Sequence, residues 1–378
     1  MNTKFDLRAI GNAFAIHGDF SAAVPHGSGH INDTFAATYN QAGRAVRYIH
    51  QRVNHNIFKS VPALMENIVR VTEYQREKLI ETGEPAASRR ALSLVPTRDG
   101  KWFHRDADGN FWRTYLFIEG ASTHDVIETE GQAEKAAQGF GAFQKLVAAL
   151  PGERLHETIP DFHNTPARFS QLELAIGKDA AHRVAKAKAE IDFCMECKPW
   201  VGRFIELNRR GVLPERVTHN DTKLNNVMLD DKTHEPVCVI DLDTVMPGLA
   251  LYDFGDMVRT ATNSAPEDER DLTKTFVRMN IFRALVRGYL STARDFLEPA
   301  EINQLAFAGQ LITFEIGIRF LADYLNGDVY FKVHREGHNL DRCRTQFQLA
   351  REMQRRMEEM EDIVRGAISN AETVILTA

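Results

Sequence analysis

The stretch RVTHNDTKLNNVMLDDKTHEPVCVIDLDTVMPG at 216–248 constrains this chain more than any other, because it crowds chemistry-bearing side chains around two short apolar runs. His219 stands two residues before Asp221, Asn226 follows five residues after that aspartate, and Asp241 closes the second run. The runs VMLD at 227–230 and VCVID at 237–241 read as a strand pair, which returns Asp241 to the neighbourhood of Asn226. Phosphoryl transfer needs such parts: a carboxylate that accepts the proton of an attacking hydroxyl, and an amide oxygen plus a second carboxylate that hold Mg²⁺ at nucleotide phosphates. A solvated loop without chemistry is the competing reading.

The rest of the chain divides into two unlike halves. Its 378 residues exceed what one core comfortably serves, so two lobes are expected. Up to about residue 118 there are strand-like runs, DTFAATY at 33–39, AVRYIHQRV at 45–53, ALSLVP at 91–96 and FWRTYLFIE at 111–119. Between them the spacing of Leu64, Ile68, Val71 and Leu79 predicts a helix over 61–81, with Pro62 near its start and Gly83 past its end. This is a small, mostly antiparallel sheet with one helix. Beyond it, helical periodicity runs through 122–149, 167–176, 179–210, 252–263, 268–292, 298–325 and 340–373. The expected class is α+β, with an N-terminal lobe over 1–118, a mainly helical C-terminal lobe over 119–378, and a linker at 117–122.

Composition narrows the function classes. Lys and Arg number 46 against 52 Asp and Glu, a net charge of −6, which does not advertise the cationic surface a nucleic-acid binder needs. The four cysteines are too scattered for a disulfide framework, and a reducing, cytoplasmic compartment is expected. Lys4, Asp6 and Arg8 interrupt the start, so it does not read as a signal peptide. No apolar stretch approaches the ~18 residues of a membrane span. Small-molecule chemistry is the default, with no membrane and no obligate protein partner.

Five blocks carry a resemblance in matching order along nearly the whole chain: HGSGHINDTF at 26–35, RYIHQRVN at 47–54, RVTHNDTKLNN at 216–226, IDLDTVMPG at 240–248 and RFLADYLNGDVYF at 319–331. Together they resemble the aminoglycoside phosphotransferase and choline kinase superfamily, and within it the bacterial kinases that phosphorylate the anomeric hydroxyl of amino sugars. The resemblance implies a protein-kinase-like two-lobed fold, ATP and Mg²⁺ as cofactors, and a small neutral sugar, N-acetylglucosamine or N-acetylgalactosamine, as acceptor. It implies Asp221 as catalytic base, in contact with the sugar hydroxyl, and Asn226 and Asp241 as Mg²⁺ ligands. It implies His30, Arg319 and Tyr330 as sugar contacts, with His338 and Arg342 weaker candidates. Gly27, Ser28 and Gly29 sit where a glycine-rich loop would cover nucleotide phosphates, although a tight hairpin turn explains them equally well. Phe117 and Ile118, at the linker, are expected on the nucleotide. Within the same superfamily an aminoglycoside, choline or homoserine kinase is the alternative, and from another class a sugar-binding pseudokinase.

Several residues read more simply. Asp253-Phe254-Gly255 spells a metal motif of protein kinases but lies too far beyond Asn226, so Asp253 is expected to brace the catalytic loop. Asp243 would point away from Asp241 in an extended backbone, which suits a loop-stabilising role. The third strand reads Tyr48-Ile49-His50-Gln51-Arg52, without the lysine that usually holds the α- and β-phosphates. If Gln51 takes that place, Arg52 faces away by alternation; Arg52 is expected at the nucleotide through a bulge that shifts it, or another cation serves, and Glu66 and Glu73 are candidate partners. For Arg319, an ion pair with Asp323 one turn later is the structural alternative. Cys194 and Cys197 read as ordinary buried residues, and the charges at 183–188 and 350–365 as solvated helix faces.

Overall fold

A computed structural model describes residues 5–27 and 31–377, with side chains through residue 369. Helix α1 (Leu7–Asn12), capped by the Asp6 carboxylate on the Ala9 amide, precedes an antiparallel meander of β1 (Asp19–Pro25), β2 (Asp33–Gln41) and β3 (Arg44–Val53). Ala42 and Gly43 join β2 to β3 with positive φ at both residues, 51° and 85°, the turn geometry that matches strand twist. Helix α2 (Val61–Glu81) occupies the predicted range, and α3 (Ala87–Arg90), β4 (His104–Arg105) and β5 (Phe111–Leu116) follow. The sheet order is β1-β2-β3-β5-β4.

Strand alternation gives this sheet two different faces. Tyr48, His50 and Trp112 face Phe14, Ile10 and Leu7, a small core under α1, while Val53 and Tyr115 join the large core with Leu64 and Ile68 of α2. The expected strand at 91–96 runs beside β5 through Val95 N–H on Thr114 O (2.9 Å) and Leu116 N–H on Ser93 O (2.9 Å), but forms only an isolated bridge there. His50 is fully buried between the Tyr39 hydroxyl (3.0 Å) and the Thr114 hydroxyl (2.8 Å). Burial pushes its pKa down to about 4 from 6.5. The unfolded chain therefore binds the extra proton first, and stability falls as pH drops from 6.5 towards 4, by up to about 3 kcal/mol from this group. Urea unfolding of wild type and His50→Gln at pH 7 and pH 5 measures it: the wild type should lose more than the variant.

The second lobe begins where β6 (Ala121–Ser122) pairs with a strand of the catalytic stretch. Four helices follow: α4 (Glu130–Val147), α5 (Thr165–Lys178), α6 (Lys188–Cys197) and α7 (Arg203–Arg209). Then come β7 (Arg216–Thr218), β8 (Val227–Asp230), β9 (Pro236–Val239) and β10 (Met246–Gly248). The chain ends in α8 (Ala250–Thr262), α9 (Met279–Ala293), α10 (Pro299–Ile302), α11 (Leu305–Leu325), α12 (His338–Arg355) and α13 (Met357–Thr377). The single helix expected over 179–210 is broken into α6 and α7 by a tight turn at Lys198–Trp200, where Pro199 lacks the amide a continuing helix requires. Helix α11 corrects another expectation. Its 21 residues are long and apolar enough to cross a membrane, with a mean hydropathy of 1.4, yet 83% of that window is buried inside the lobe. Cys194 and Cys197 are buried free thiols whose pKa values burial raises.

Candidate active site

The catalytic loop is hung from a two-stranded ribbon. β7 pairs with β10, Thr218 opposite Met246 and Arg216 opposite Gly248. A side chain at Gly248 would stand 2.4 Å from the Thr218 hydroxyl, so this approach requires glycine. Beyond β7, Asn220 adopts φ 65°, a conformation asparagine tolerates, and its amide donates to Thr218 O (3.2 Å) and Thr244 O (2.9 Å). Asp253, wholly buried in the first turn of α8, holds the loop from below. Its carboxylate accepts the amides of His219 (2.9 Å) and Asn220 (2.6 Å) and the side chain of Gln144 (2.6 Å), while the Thr222 hydroxyl donates to its carbonyl (2.5 Å). Burial raises the Asp253 carboxyl, and these donors are what keep it in place. Asp253 acts as the expected brace and carries no metal role.

The β8–β9 hairpin brings the second carboxylate back. Val227 pairs with Val239, and the Ile240 amide donates to Asn226 O at 2.9 Å. His219 locks the loop to this hairpin. Its Nε2 lies 2.8 Å from Ile240 O, a carbonyl that only accepts, so Nε2 donates there, and its Nδ1 lies 3.3 Å from the Asp221 amide. Asp241 then takes φ 59°, and a single turn of 3-10 helix covers Leu242–Thr244. That kink replaces extended alternation, yet the outcome for Asp243 is the expected one: it turns inward, 3% exposed, while Asp241 opens into the cleft.

Three carboxylates thus share one cleft, and two of them have their own cation. Lys223 Nζ lies 2.8 Å from Asp221 Oδ1, and the Asn226 amide donates to Asp221 O (2.8 Å) and Oδ2 (3.3 Å). Burial would raise the Asp221 carboxyl, but Lys223 beside it holds it below the usual carboxylate range. Asp243 faces Arg113 Nη2 at 2.5 Å. Asp241 has no protein cation among the described residues; enclosure by the cleft, then Asp243 and Asp221, push its carboxyl up to about 6. With the Asn226 amide nitrogen spent on Asp221, its oxygen is left for a ligand. One crowded carboxylate and one amide oxygen fit Mg²⁺, which keeps waters and takes phosphate oxygens. No group of three His, Cys, Asp or Glu among the described residues could hold a metal alone, so the fit is to a cation arriving with phosphates.

The structure brings Asp221, Asn226 and Asp241 together and separates other candidates. Gly27, two residues beyond β1, has φ 78°; Ser28, Gly29 and His30 lie outside the described residues. Arg52 is corrected. No bulge interrupts the pairing of β3 with β5, so Arg52 lies on the outer face, bonded by Nε to Asp33 (2.6 Å) and stacked over Phe5 (5.4 Å). Gln51 faces inward, and a buried cation stands on the strand beside it: Arg113, opposite Gln51, donates to Gln51 Oε1 at 2.9 and 2.6 Å and reaches Asp243. Glu66 pairs with His156 (2.9 Å) and Glu73 is exposed, so neither meets Arg113. Phe117 lies under the Arg47 guanidinium (3.7 Å), and Ile118 packs with Ala121 and Cys238 against Leu92, Met228 and Ile240 between the lobes.

Arg319 stands between the rings of Phe162 (5.4 Å) and Phe331 (5.7 Å), without a carboxylate partner among the described residues. The alternative pair with Asp323 does not form. That carboxylate instead accepts the amides of Val329, Tyr330 and Phe331 (2.8–3.0 Å) and the Asn339 side chain (2.9 Å). Arg319 and Tyr330 line one cavity of about 320 Å³ with Arg168, Lys178 and Leu174. A relay of contacts links its Arg319 to the catalytic loop: the guanidinium lies over Phe162, and the next residue, His163, has its Nε2 3.0 Å from Asn220 O. His338 is instead paired with Asp268 (3.0 Å), and Arg342 stacks over Phe320 (5.4 Å). Sequence reasoning missed Lys223 and Arg113. The Asp-x-Lys spacing could have found the first, while nothing local marks the second.

These arrangements have counterparts. A family model described as the phosphotransferase enzyme family matches residues 22–299. Among solved structures, an aminoglycoside phosphotransferase from Alicyclobacillus acidocaldarius superposes with a TM-score of 0.62 at 12% identity, over 97% of this chain and 98% of that one. Choline kinase from Cryptosporidium parvum Iowa II gives 0.53 at 13% identity, over 92% and 91%. A spectinomycin phosphotransferase in complex with ADP and spectinomycin gives 0.50 at 12% identity, over 96% and 97%. At such identities the likeness shows the fold, an α+β, protein-kinase-like arrangement of a small antiparallel lobe and a larger helical one. Since the family model spans most of the chain, from β1 through the catalytic loop to α10, the chain belongs to the phosphotransferase enzyme family.

Proposed function

We propose that the protein is an ATP-dependent N-acetylhexosamine 1-kinase, which transfers the γ-phosphoryl group to the anomeric hydroxyl of N-acetylglucosamine or N-acetylgalactosamine. What carries this is the cationic cavity lined by Arg319 and Tyr330. It presents Arg168, Lys178 and Arg319, while its one carboxylate, Asp323, is spent on three backbone amides and Asn339. Burial lowers the Arg168 pKa, and the like charge of Arg319 lowers it further. A cationic aminoglycoside or choline would meet repulsion there. A neutral sugar, whose hydroxyls and acetamido oxygen accept hydrogen bonds, suits guanidinium donors.

In this reading Asp221 orients the sugar hydroxyl and takes its proton, and Lys223 keeps the carboxylate ionised and aimed. Asn226 and Asp241 would hold Mg²⁺, which when bound neutralises charge on the phosphates. The solved relative in complex with ADP supports an adenine nucleotide as donor. A pseudokinase reading had only the missing strand lysine behind it, and Arg113 supplies a cation in that region.

Incubation with ATP, Mg²⁺ and a panel of sugars, choline and aminoglycosides, read by phosphorus NMR, tests the proposal. A phosphate on C1 of an N-acetylhexosamine is expected; phosphate on C6, or no product from any N-acetylhexosamine, refutes it. Arg319→Ala should raise the sugar KM on the order of 10–100-fold, the worth of hydrogen bonds from a charged donor, and leave the KM for ATP unchanged. Equal loss for both substrates would remove Arg319 from the acceptor site.

A further inference from the structure

Asp243 joins three parts of the molecule that phosphoryl transfer must keep in register. Its Oδ1 meets Arg113 on β5 at 2.5 Å, and its Oδ2 accepts the Asn32 amide at 2.7 Å, where the β1–β2 loop rejoins the sheet. Its carbonyl accepts the Thr158 hydroxyl at 2.9 Å. Asn32 is itself fixed by the Asn54 amide on its Oδ1 (2.9 Å), and Arg113 is fixed by Gln51. The side chains of Arg113 and Asp243 are sealed from water, 1% and 4% exposed. Burial would lower the Arg113 pKa, yet Asp243 beside it more than offsets that.

A sealed ion pair is costly to desolvate and more costly to break, so its two ends are held in one geometry. Here those ends are the small-lobe sheet and the segment carrying Asp241 two residues upstream. Helix α2 supplies no carboxylate to the pair, although its Met65 sulfur lies 4.0 Å from Arg113 Nη1. Its Asn67 is docked on His156 O (2.8 Å) and Val245 O (3.0 Å), and its Glu66 is engaged by His156.

We propose that Asp243 is a positioning residue, which through Arg113 and Asn32 fixes the small-lobe sheet, at β5 and at the entry to β2, relative to Asp241. A buried cation on β5 and a carboxylate on the segment carrying Asp241 thereby tie the lobes together, beside the strand where a lysine is usual. Nucleotide phosphates then meet a site already assembled. This rests on the nucleotide-kinase reading above.

Asn32→Ala separates the tie from folding, because it leaves the buried ion pair intact. Calorimetric titration of the full chain with Mg·ADP, without sugar, should show roughly tenfold weaker binding, the worth of one hydrogen bond to a charged acceptor. The melting temperature should fall by only a few degrees, because the buried ion pair and its packing remain, and the sugar KM should stay at the wild-type value. The double variant Arg113→Gln with Asp243→Asn keeps the packing without the charges and should weaken Mg·ADP binding at least as much. Unchanged Mg·ADP affinity in Asn32→Ala overturns the tie while leaving the kinase reading intact. Failure of the wild type itself to bind Mg·ADP overturns the kinase reading instead.

Discussion

Asp221→Asn lowers kcat by a factor of about 10²–10⁴, the usual contribution of a positioned general base, and leaves nucleotide binding within about twofold of wild type. Asparagine keeps the size of the side chain and can still accept from Lys223, which lies 2.8 Å from Asp221 Oδ1. The change therefore removes the proton acceptor with little disturbance of the loop, whose shape depends on Asp253, His219 and Thr244. Steady-state turnover with a sugar acceptor, paired with calorimetric ADP binding, separates the two effects. Turnover within tenfold of wild type would show that Asp221 is not the base. A parallel loss of nucleotide affinity would assign it to the phosphates.

Lys223→Ala should behave differently from Asp221→Asn. The Asp221 carboxylate would lose the cation that opposes its burial, so its pKa rises and the acid limb of the kcat profile moves to higher pH. A pH profile unchanged in shape would show that the 2.8 Å contact does not tune the base.

Much of this site was legible because its parts are close in sequence. His219, Asp221, Asn226 and Asp241 lie on one loop and one hairpin, where spacing and strand pairing translate almost directly into proximity. Helix α2 was equally legible, since an apolar stripe bounded by Pro62 and Gly83 depends on local pattern alone. Arg113 was not, because its partner lies 130 positions away in the other lobe and only tertiary packing joins them. Arg52, expected at the nucleotide through a bulge, faces outward because alternation along β3 is unbroken. Strand β1 carried little signal, being an edge strand with mostly exposed side chains. The break between α6 and α7 shows Pro199 overriding a periodicity that otherwise continues. Asp243 reached its buried position by a route alternation does not describe, the left-handed turn at Asp241.

The largest stability effect is expected at Asp253 rather than at any residue touching substrate. Asp253→Ala strips the acceptor from two backbone amides, His219 and Asn220, and from the Gln144 side chain, all buried. Each buried donor left without a partner costs roughly 1–3 kcal/mol, which together gives about 3–5 kcal/mol once partial relaxation is allowed. Offsetting this, a buried carboxylate and its desolvation cost disappear, but a charge already held by three donors is cheaper to keep than its donors are to orphan. Asp253→Asn retains one acceptor oxygen while turning an amide group towards a backbone donor, so it should fall between wild type and alanine. Because His219 and Asn220 flank Asp221 in the loop, kcat should fall together with stability in both variants, even at temperatures where each remains folded. Urea unfolding and turnover at 15 °C measure the two effects separately. Wild-type unfolding midpoints with undiminished turnover in Asp253→Ala would show that the ribbon of β7 and β10, and not Asp253, is what holds the catalytic loop.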